Sequence, residues 1–258
     1  MGLERPVYEK KGYNSFVYYV AFGLCTDNVD VYPEQHHVTG IPEGVKLLGI
    51  TKDMIHADFK GYVSGAFGEA LENKDPELAK KVRENGKAMQ IMGEVEDDSS
   101  LSYLVSSVGI VEALCDMGAI AVLDMHLCRW YTPEEWHKDV FEKVTNPFTH
   151  ISPMMGKQED GIWLHTRGMR KFGRPDISIS GVPEDDLQAA QEMAQEMVPI
   201  QAIGGAWLDK VITYQTCKGD AKLNPHDYYT EGMDNPMYNN NFFDIPWSAV
   251  QFEKPAKK

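Results

Sequence analysis

The apolar and polar residues of this chain form both strand-like and helix-like patterns. Residues 16–25 are aromatic and β-branched enough to predict a buried strand, and residues 89–95 are a second strand candidate. Between them, apolar residues recur with helical spacing from Phe59 to Leu71, although glycines on another side favour either close packing or a broken helix. The sequence Asp75-Pro76-Glu77 is typical of a helix cap and first turn, and Gly86 is placed to end that helix.

The segment 99–144 predicts a helix, a strand, a loop and a second helix. Asp98 or Ser99 caps the first helix, whose valines and leucines form a core stripe, and residues 119–123 form a short buried strand. The second helix starts at a capping box, Thr132-Pro133-Glu134-Glu135, in which threonine is the cap, proline is the first helical residue and glutamate is the third. Its buried face consists of Trp136, Val140, Phe141 and Val144.

The second half of the chain predicts two strands followed by a helix. Residues 162–166 and 176–180 form the strands, and the helix begins near Pro183 with acidic residues at its positive end. Pro199 is expected to disturb this helix and Gly204-Gly205 to stop it.

The C-terminal part of the chain is less regular. Residues 211–216 alternate like a half-buried strand, while residues 218–258 are rich in Asn, Asp, Pro, Gly and Tyr and are predicted to be mostly loop, with a possible final strand at 242–245. No internal repeat or flexible linker is apparent. We therefore predict an α+β fold with a mixed or antiparallel sheet and packed helices, in a single composite domain over 1–258 with a possible subdivision near 146–160.

The composition predicts a globular protein that binds neither nucleic acid nor membranes. The chain has 258 residues, of which 43% are hydrophobic and 25% charged, and a formal net charge of −14. Nucleic acids and anionic membranes usually require a basic surface, and no run of residues approaches the roughly 18 apolar residues of a membrane span. The first eleven residues lack the apolar region of a signal peptide, and four cysteines without C-x-x-C spacing are typical of reduced thiols, so we expect a cytoplasmic location.

A cluster of basic residues interrupts this acidic chain between Trp163 and Ile179. Four cations fall within eight residues, namely Arg167, Arg170, Lys171 and Arg174. Guanidinium groups, together with backbone N–H groups near Gly168 and Gly173, are typical ligands of phosphate or carboxylate. We therefore predict an anion-binding site at 165–176, with Thr166 and Asp176 as further candidate ligand-binding residues.

Strand periodicity predicts the geometry of this basic loop. Alternate residues of a strand share a face, so His165 and Arg167 point one way while Thr166 points toward the core. If the two strands pair as a hairpin, Asp176 and Ser178 lie on the side of His165. His165 is then a candidate catalytic residue, because a histidine can donate or accept a proton near neutral pH.

A second candidate site follows the predicted strand 119–123. Asp124 and His126 are separated by one residue, and residues at the carboxyl ends of strands often line clefts, so Asp124 is a further candidate catalytic residue. A hydrogen-bonded turn carboxylate is the alternative for Asp124, since two ligands do not make a metal site. His36-His37 lies in a polar loop and is interpreted as solvated. The commonest hydrolase, nucleotide-binding and zinc-protease motifs are absent, and we predict neither a metal nor a cofactor.

Two segments of the chain resemble those of a protein family. They are W-L-H-T-R-G-M-R-K-F-G-R-P-D-I-S-I, starting at Trp163, and G-A-I-A-V-L-D-M-H-L-C-R-W-Y-T-P-E-E-W, starting at Gly118. Together they resemble a family of uncharacterised, mostly bacterial proteins, over about Gly93 to Trp247. The resemblance implies a cytoplasmic soluble protein and supplies no activity, cofactor or substrate. It places these residues in the family's signature: His165, Thr166, Arg167, Gly168, Gly173, Pro175 and Asp176.

These observations leave three functional hypotheses. The first is binding, with or without turnover, of a small anionic ligand at 165–176. The alternative is a non-enzymatic interaction protein, such as a toxin-neutralising or scaffold protein, whose acidic surface binds a basic protein partner. The basic loop is then structural, with Arg167 or Arg174 paired to Asp176. The third hypothesis is metal-dependent hydrolysis by Asp124, His126 and His165. The sequence does not determine whether the protein is an enzyme, nor its oligomeric state.

Overall fold

The chain forms two compact units in a computed structural model that describes residues 4–6, 14–54, 59–96, 100–204, 212–223 and 240–253. The first unit holds the described residues from 14 to 149, and the second holds 4–6 together with those from 150 onward. This division falls inside the segment 146–160, where a subdivision was considered. The prediction of one composite domain over 1–258 stays a prediction.

The first unit is built on a five-stranded antiparallel sheet in the order β2-β3-β1-β4-β5. Its strands are β1 (Ser15–Phe22), β2 (Val45–Thr51), β3 (Lys87–Val95), β4 (Ala121–Asp124) and β5 (Arg129–Tyr131). The central strand β1 is buried on both faces over its second half, as its aromatic and β-branched residues predicted. The predicted strands at 89–95 and 119–123 correspond to β3 and β4, whereas β2 and β5 were not predicted.

The described residues before 151 form seven α-helices. They are α1 (Pro33–His36), α2 (Phe59–Tyr62), α3 (Gly65–Lys74), α4 (Pro76–Asn85), α5 (Ser102–Asp116), α6 (Pro133–Trp136) and α7 (Pro147–His150). The helical pattern from Phe59 to Leu71 is a broken helix, split into α2 and α3. The predicted start and end of α4 are confirmed, because Asp75 Oδ1 accepts the N–H groups of Glu77 and Leu78 and Gly86 is left-handed with φ of 66°.

Helix α5 is mostly apolar and is buried from Tyr103 to Leu114. It begins at Ser102, and the caps predicted for it at Asp98 or Ser99 lie outside the described residues. The capping box of α6 is confirmed in both directions, since Thr132 Oγ1 accepts from Glu135 N and Glu135 Oε2 accepts from Thr132 N. One feature was not predicted: α6 continues as a π-helical turn over His137–Phe141.

The described part of the second unit contains two sheets and one long helix. Its strands are β6 (Ser152–Gln158), β7 (Gly161–Arg167), β8 (Asp176–Val182), β9 (Ile212–Thr216), β10 (Gly219–Leu223), β11 (Phe242–Pro246) and β12 (Gln251–Glu253). Strands β11-β8-β7-β6 form a mixed sheet in which β11 runs parallel to β8 and the other pairs are antiparallel. Strands β12-β10-β9 form a smaller antiparallel sheet. The predicted α+β class is therefore confirmed.

Helix α8 (Leu187–Ile203) packs against the mixed sheet and follows a 3₁₀ turn at Glu184–Asp186. It runs through Pro199 and is capped by Gly204, so the proline does not stop it. Burial of Met197 and Val198 before the proline and of Ala202 after it explains why the helix continues. None of the described helices is long and apolar enough to cross a membrane.

The prediction that 218–258 is mostly loop is wrong for the described part of this segment. Strands β10, β11 and β12 all lie there, and the strand at 242–245 is not the final one. Strand β6 was missed as well, because it is an edge strand with exposed methionines and does not show the alternation of a half-buried strand.

Candidate functional site

The predicted basic loop connects β7 to β8 in the mixed sheet of the second unit. The two strands form the expected antiparallel pair, in which His165 lies opposite Ser178, with a register shift between Ile162 and Leu164. The connection is a 3₁₀ turn at Met169–Phe172, bounded by Gly168 with φ of 111° and Gly173 with φ of 62°. Both glycines therefore have the positive φ that glycine adopts more readily than other residues.

Asp176 holds the two ends of this loop together. Its Oδ1 accepts hydrogen bonds from the Thr166 hydroxyl (2.9 Å) and the Met169 N–H (3.2 Å), and its Oδ2 accepts from the Asn240 amide (2.7 Å). Burial raises the pKa of Asp176 to about 6, although these three donors and the nearby charge of Arg167 act in the opposite direction. Asp176 therefore makes its hydrogen bonds with neutral groups and not with an arginine.

Arg174 is buried and holds the backbone of the loop. Its Nη1 donates to the carbonyl oxygens of Phe172 (3.3 Å) and Gly173 (3.1 Å), and its Nη2 donates to that of Pro6 (3.1 Å). Arg5, a buried residue that no sequence motif indicates, donates in the same way to Phe172 O (2.6 Å) and to Ala202 O (2.9 Å). Lys171 is likewise buried, so neither Lys171 nor Arg174 reaches the surface of the unit.

His165 is buried in an aromatic environment. Its ring stacks on Trp163, with centroids 3.9 Å apart and planes at 17°, and meets the edge of Phe242. Burial, followed by the charge of Arg167, lowers the pKa of His165 to about 4. The imidazole is therefore neutral at pH 7, which suits hydrogen bonding better than proton transfer near neutral pH.

A chain of hydrogen bonds next to His165 was not foreseen. Trp163 Nε1 donates to Ser178 Oγ (2.8 Å), and Ser178 Oγ donates to Asp244 Oδ1 (2.6 Å). Asp244 lies on β11, directly beside Ser178 on β8. The sequence predicted β8 and β11 as strands but did not predict that they pair. Parallel pairing between segments about sixty residues apart leaves no signal in either segment.

Arg167 and Arg170 differ from the other two cations because both are only partly buried. Arg167 ends β7, and Arg170 lies in the 3₁₀ turn. Of the four predicted cations, these two present part of their surface to solvent. The structure therefore brings the predicted residues 165–176 into one loop but gives them two environments, a buried set and a partly exposed pair.

Asp124 belongs to the first unit, whereas His165 belongs to the second. Asp124 Oδ1 accepts the N–H groups of His126 (3.0 Å) and Leu127 (3.1 Å), which makes it the carboxylate of a turn between β4 and β5. His126 is buried and meets the edge of Phe16. Among the described residues, no group of three or more His, Cys, Asp or Glu side chains is arranged to hold a metal ion.

Comparisons of the chain with protein-family models, with curated proteins and with solved structures gave no match. The resemblance of the segments around Trp163 and Gly118 to a bacterial family stays a prediction. The site is therefore interpreted from the contacts and charges of its own residues.

Proposed function

We propose that the protein binds a small anionic ligand through Arg167 and Arg170, with His165 beside them as a neutral hydrogen-bonding group. The observation that carries this proposal is the environment of Asp176. The structural alternative requires an arginine to pair with this carboxylate, which instead accepts from Thr166, Met169 N–H and Asn240. None of these three donors is an arginine, which supports assigning the guanidinium groups of Arg167 and Arg170 to an anionic ligand.

The remaining predicted residues have a supporting role in this proposal. Thr166 and Asp176 close the loop, and Arg174 uses its guanidinium on carbonyl oxygens. A rigid loop lowers the entropic cost of presenting two guanidinium groups to an anion, which favours tighter binding. The low pKa of His165 favours binding over turnover. A cytoplasmic location and a phosphate- or carboxylate-bearing ligand are part of the same proposal.

Anion titrations at constant ionic strength test this proposal. Inorganic phosphate, pyrophosphate and citrate are added to the full chain, and both thermal unfolding and heat of binding are recorded. We expect at least one of these anions to raise the melting temperature in a saturable manner. A double variant, Arg167→Gln with Arg170→Gln, is expected to lose affinity by about tenfold or more, because hydrogen bonds to charged groups contribute roughly 1.5–3 kcal/mol.

Lys157→Gln is the matched control, because Lys157 is a cation of the same unit whose side chain is 87% exposed. It should retain the affinity of the unmodified chain. Absence of saturable binding by all three anions, or full affinity in the double variant, would overturn the proposal. In that case the acidic surface and a basic protein partner become the better explanation of the charge distribution.

A further inference from the structure

A buried glutamate and an exposed histidine form a close pair in the first unit. His137 Nδ1 lies 2.6 Å from Glu112 Oε1, with Glu112 on α5 and His137 at the start of the π-helical turn. The Glu112 side chain is only 8% exposed, whereas that of His137 is 52% exposed. The carboxylate is therefore anchored inside the unit while the imidazole reaches its surface.

The 2.6 Å separation requires one proton between the two groups. A carboxylate oxygen and an unprotonated imidazole nitrogen are both acceptors, so either His137 Nδ1 or Glu112 carries a hydrogen at this contact. Nε2 is then the ring nitrogen of His137 that can exchange a proton with solvent or a ligand. It lies 3.5 Å from Oε1 of the exposed Glu142. A carboxylate that orients Nδ1 and leaves Nε2 available is the arrangement used in acid–base catalysis by histidine.

Glu112 has a second oxygen that supports a functional interpretation. Oε2 is buried and has no hydrogen-bond partner among the residues that the structure describes. Burial raises the pKa of Glu112, and the hydrogen bond that the Glu112 carboxylate accepts from His137 raises the pKa of His137. An incompletely satisfied buried carboxylate is costly to the fold, and such costs concentrate at functional sites.

A second histidine pair holds the neighbouring carboxylate in place. Asp116 lies one turn after Glu112 on α5, and its Oδ2 contacts His36 Nε2 (3.1 Å) and Gln35 Nε2 (2.6 Å). The Tyr32 N–H donates to His36 Nδ1 (2.9 Å), so the neutral ring carries its proton on Nε2 and donates it to Asp116. His36 is only 1% exposed, and its interpretation as a solvated histidine is therefore wrong.

The backbone around this pair has two unusual conformations. His37 adopts the left-handed region with φ of 57°, which few residues other than glycine do, and its ring stacks on Phe141. Phe141 also stacks on His137, and both belong to the π-helical turn. Single π-helical turns are rare and occur frequently at functional sites. His137 and Phe141 stack within this turn, and the His137 imidazole contacts Glu112 of α5.

These residues border a pocket of about 400 Å³ that lies wholly within the first unit. Its charged or ionisable side chains are Glu112, Asp116, Glu134, His137 and Cys115, and the described residues that line it include no lysine or arginine. Burial raises the pKa of Cys115 well above its ordinary range, so the thiol is not a ready nucleophile. The carboxylates instead favour a cationic ligand.

We propose that this pocket is a proton-transfer site for a small organic ammonium ligand, with His137 Nε2 as the atom that exchanges the proton and Glu112 as its positioning residue. Asp116 and Glu134 attract the ammonium group. Nε2 takes one proton from the ammonium nitrogen, whose N–H electron pair stays on that nitrogen, and the amine becomes neutral. The imidazolium that results is stabilised by the Glu112 carboxylate at Nδ1. All the residues of this proposed site belong to the first unit, so the proposal does not depend on the anion-binding loop proposed for the second unit.

Nitrogen-detected NMR of the full chain labelled with ¹⁵N tests the proposal directly. The neutral His137 ring is expected to carry its proton on Nδ1 and to leave Nε2 unprotonated. Addition of methylammonium or agmatine, at constant ionic strength, should shift the His137 resonances in a saturable manner. Potassium chloride over the same range should not do so, because a bare monovalent cation has no proton to exchange.

Variants separate positioning from folding in this test. Glu112→Gln should change the tautomer populations of His137 and weaken amine binding by about tenfold, and Asp116→Asn with Glu134→Gln should weaken binding by a similar factor. Asp139→Asn is the control, since this carboxylate lies on the same π-helical turn, pairs with Lys143 and does not line the pocket. Any of three results would overturn the proposal: a neutral His137 protonated on Nε2, no saturable shift with either amine, or equal shifts with potassium. The protonation of His137 is measured on the unmodified chain and so does not depend on any variant.

Discussion

The hydroxyl of Thr166 donates to the carboxylate of Asp176 and accepts the N–H of Ile177, so one side chain joins the end of β7 to the start of β8. Strand periodicity placed Thr166 and Asp176 on opposite faces. The strict alternation ends where the loop begins, and the Asp176 carboxylate turns toward Met169 N–H and reaches Thr166. The pair therefore belongs to the scaffold of the basic loop.

Asp176 should make the protein less stable as the pH rises from about 4 to about 6. Burial raises its pKa from an ordinary value of 3.8 to about 6, so the folded chain binds more protons than the unfolded chain in this window. The contribution to the free energy of unfolding is roughly 3 kcal/mol, which is lost as the pH rises. Urea unfolding of Asp176→Asn over this window should lack that loss. The exposed Asp185→Asn in the same unit is the control, and an unchanged pH slope in Asp176→Asn would contradict the prediction.

The contribution of His165 to stability should change with pH in the opposite sense to that of Asp176, over nearly the same pH range. Its pKa is lowered from 6.5 to about 4 by burial and by Arg167, so its stabilising contribution is present above about pH 6.5 and is lost as the pH falls toward 4. Relative to His165→Phe, which keeps the stacking on Trp163, the unmodified chain should lose roughly 3 kcal/mol of stability between these limits. A direct NMR titration of His165 provides the check, and a midpoint near its ordinary value would refute this assignment.

Arg174→Lys should destabilise the protein by roughly 2 kcal/mol, because an ammonium group cannot replace a guanidinium fork that donates to three carbonyl oxygens in a buried setting. Chemical unfolding at neutral pH measures this loss. Arg83→Lys, at an exposed pair with Glu72, should cost less than roughly 0.5 kcal/mol. If Arg174→Lys keeps full stability but loses anion affinity, Arg174 is a ligand-binding residue after all.

Asp124→Ala should cost roughly 2 kcal/mol of unfolding free energy, since two backbone N–H groups in a buried turn lose their acceptor. Asp124→Asn keeps a side-chain oxygen and should cost roughly 1 kcal/mol or less. Equilibrium unfolding of both variants tests this difference. Equal losses in the two variants would show that the charge of Asp124, and not its turn, matters to the protein.

Gly109→Ala should destabilise the first unit even though alanine is the better helix former. A Cβ at this position of α5 would fall on the carbonyl oxygen of His36, well inside van der Waals contact. Alanine gains roughly 1 kcal/mol in helix propensity over glycine. We expect the cost of overpacking to exceed this gain and to leave a net loss of roughly 1–3 kcal/mol. Ser102→Ala at the exposed start of α5 is the control. A gain in melting temperature for Gly109→Ala would contradict the close approach of α1 to α5.

Features governed by neighbouring residues were readable from the sequence. The limits of α4, the capping box of α6 and the positive φ at Gly168 and Gly173 depend on groups within a few residues of each other. The pair β7 and β8 was also predictable, because a short loop joins the two strands. For the same reason the basic cluster was recognisable as a loop between two strands. Its charge contrast with the rest of the chain is a property of composition alone.

Only the tertiary structure decided what those charges do. Arg174 and Lys171 are buried, whereas Arg167 and Arg170 are partly exposed. This difference could not be predicted from the sequence, because the four residues are chemically similar and lie within eight positions. Glu112 and His137 form a pair although they are twenty-five positions apart, and His137 lies in a π-helical turn. Hydrogen bonding and desolvation act over a few ångströms in space, so partners distant along the chain acquire their chemistry only when the fold brings them together.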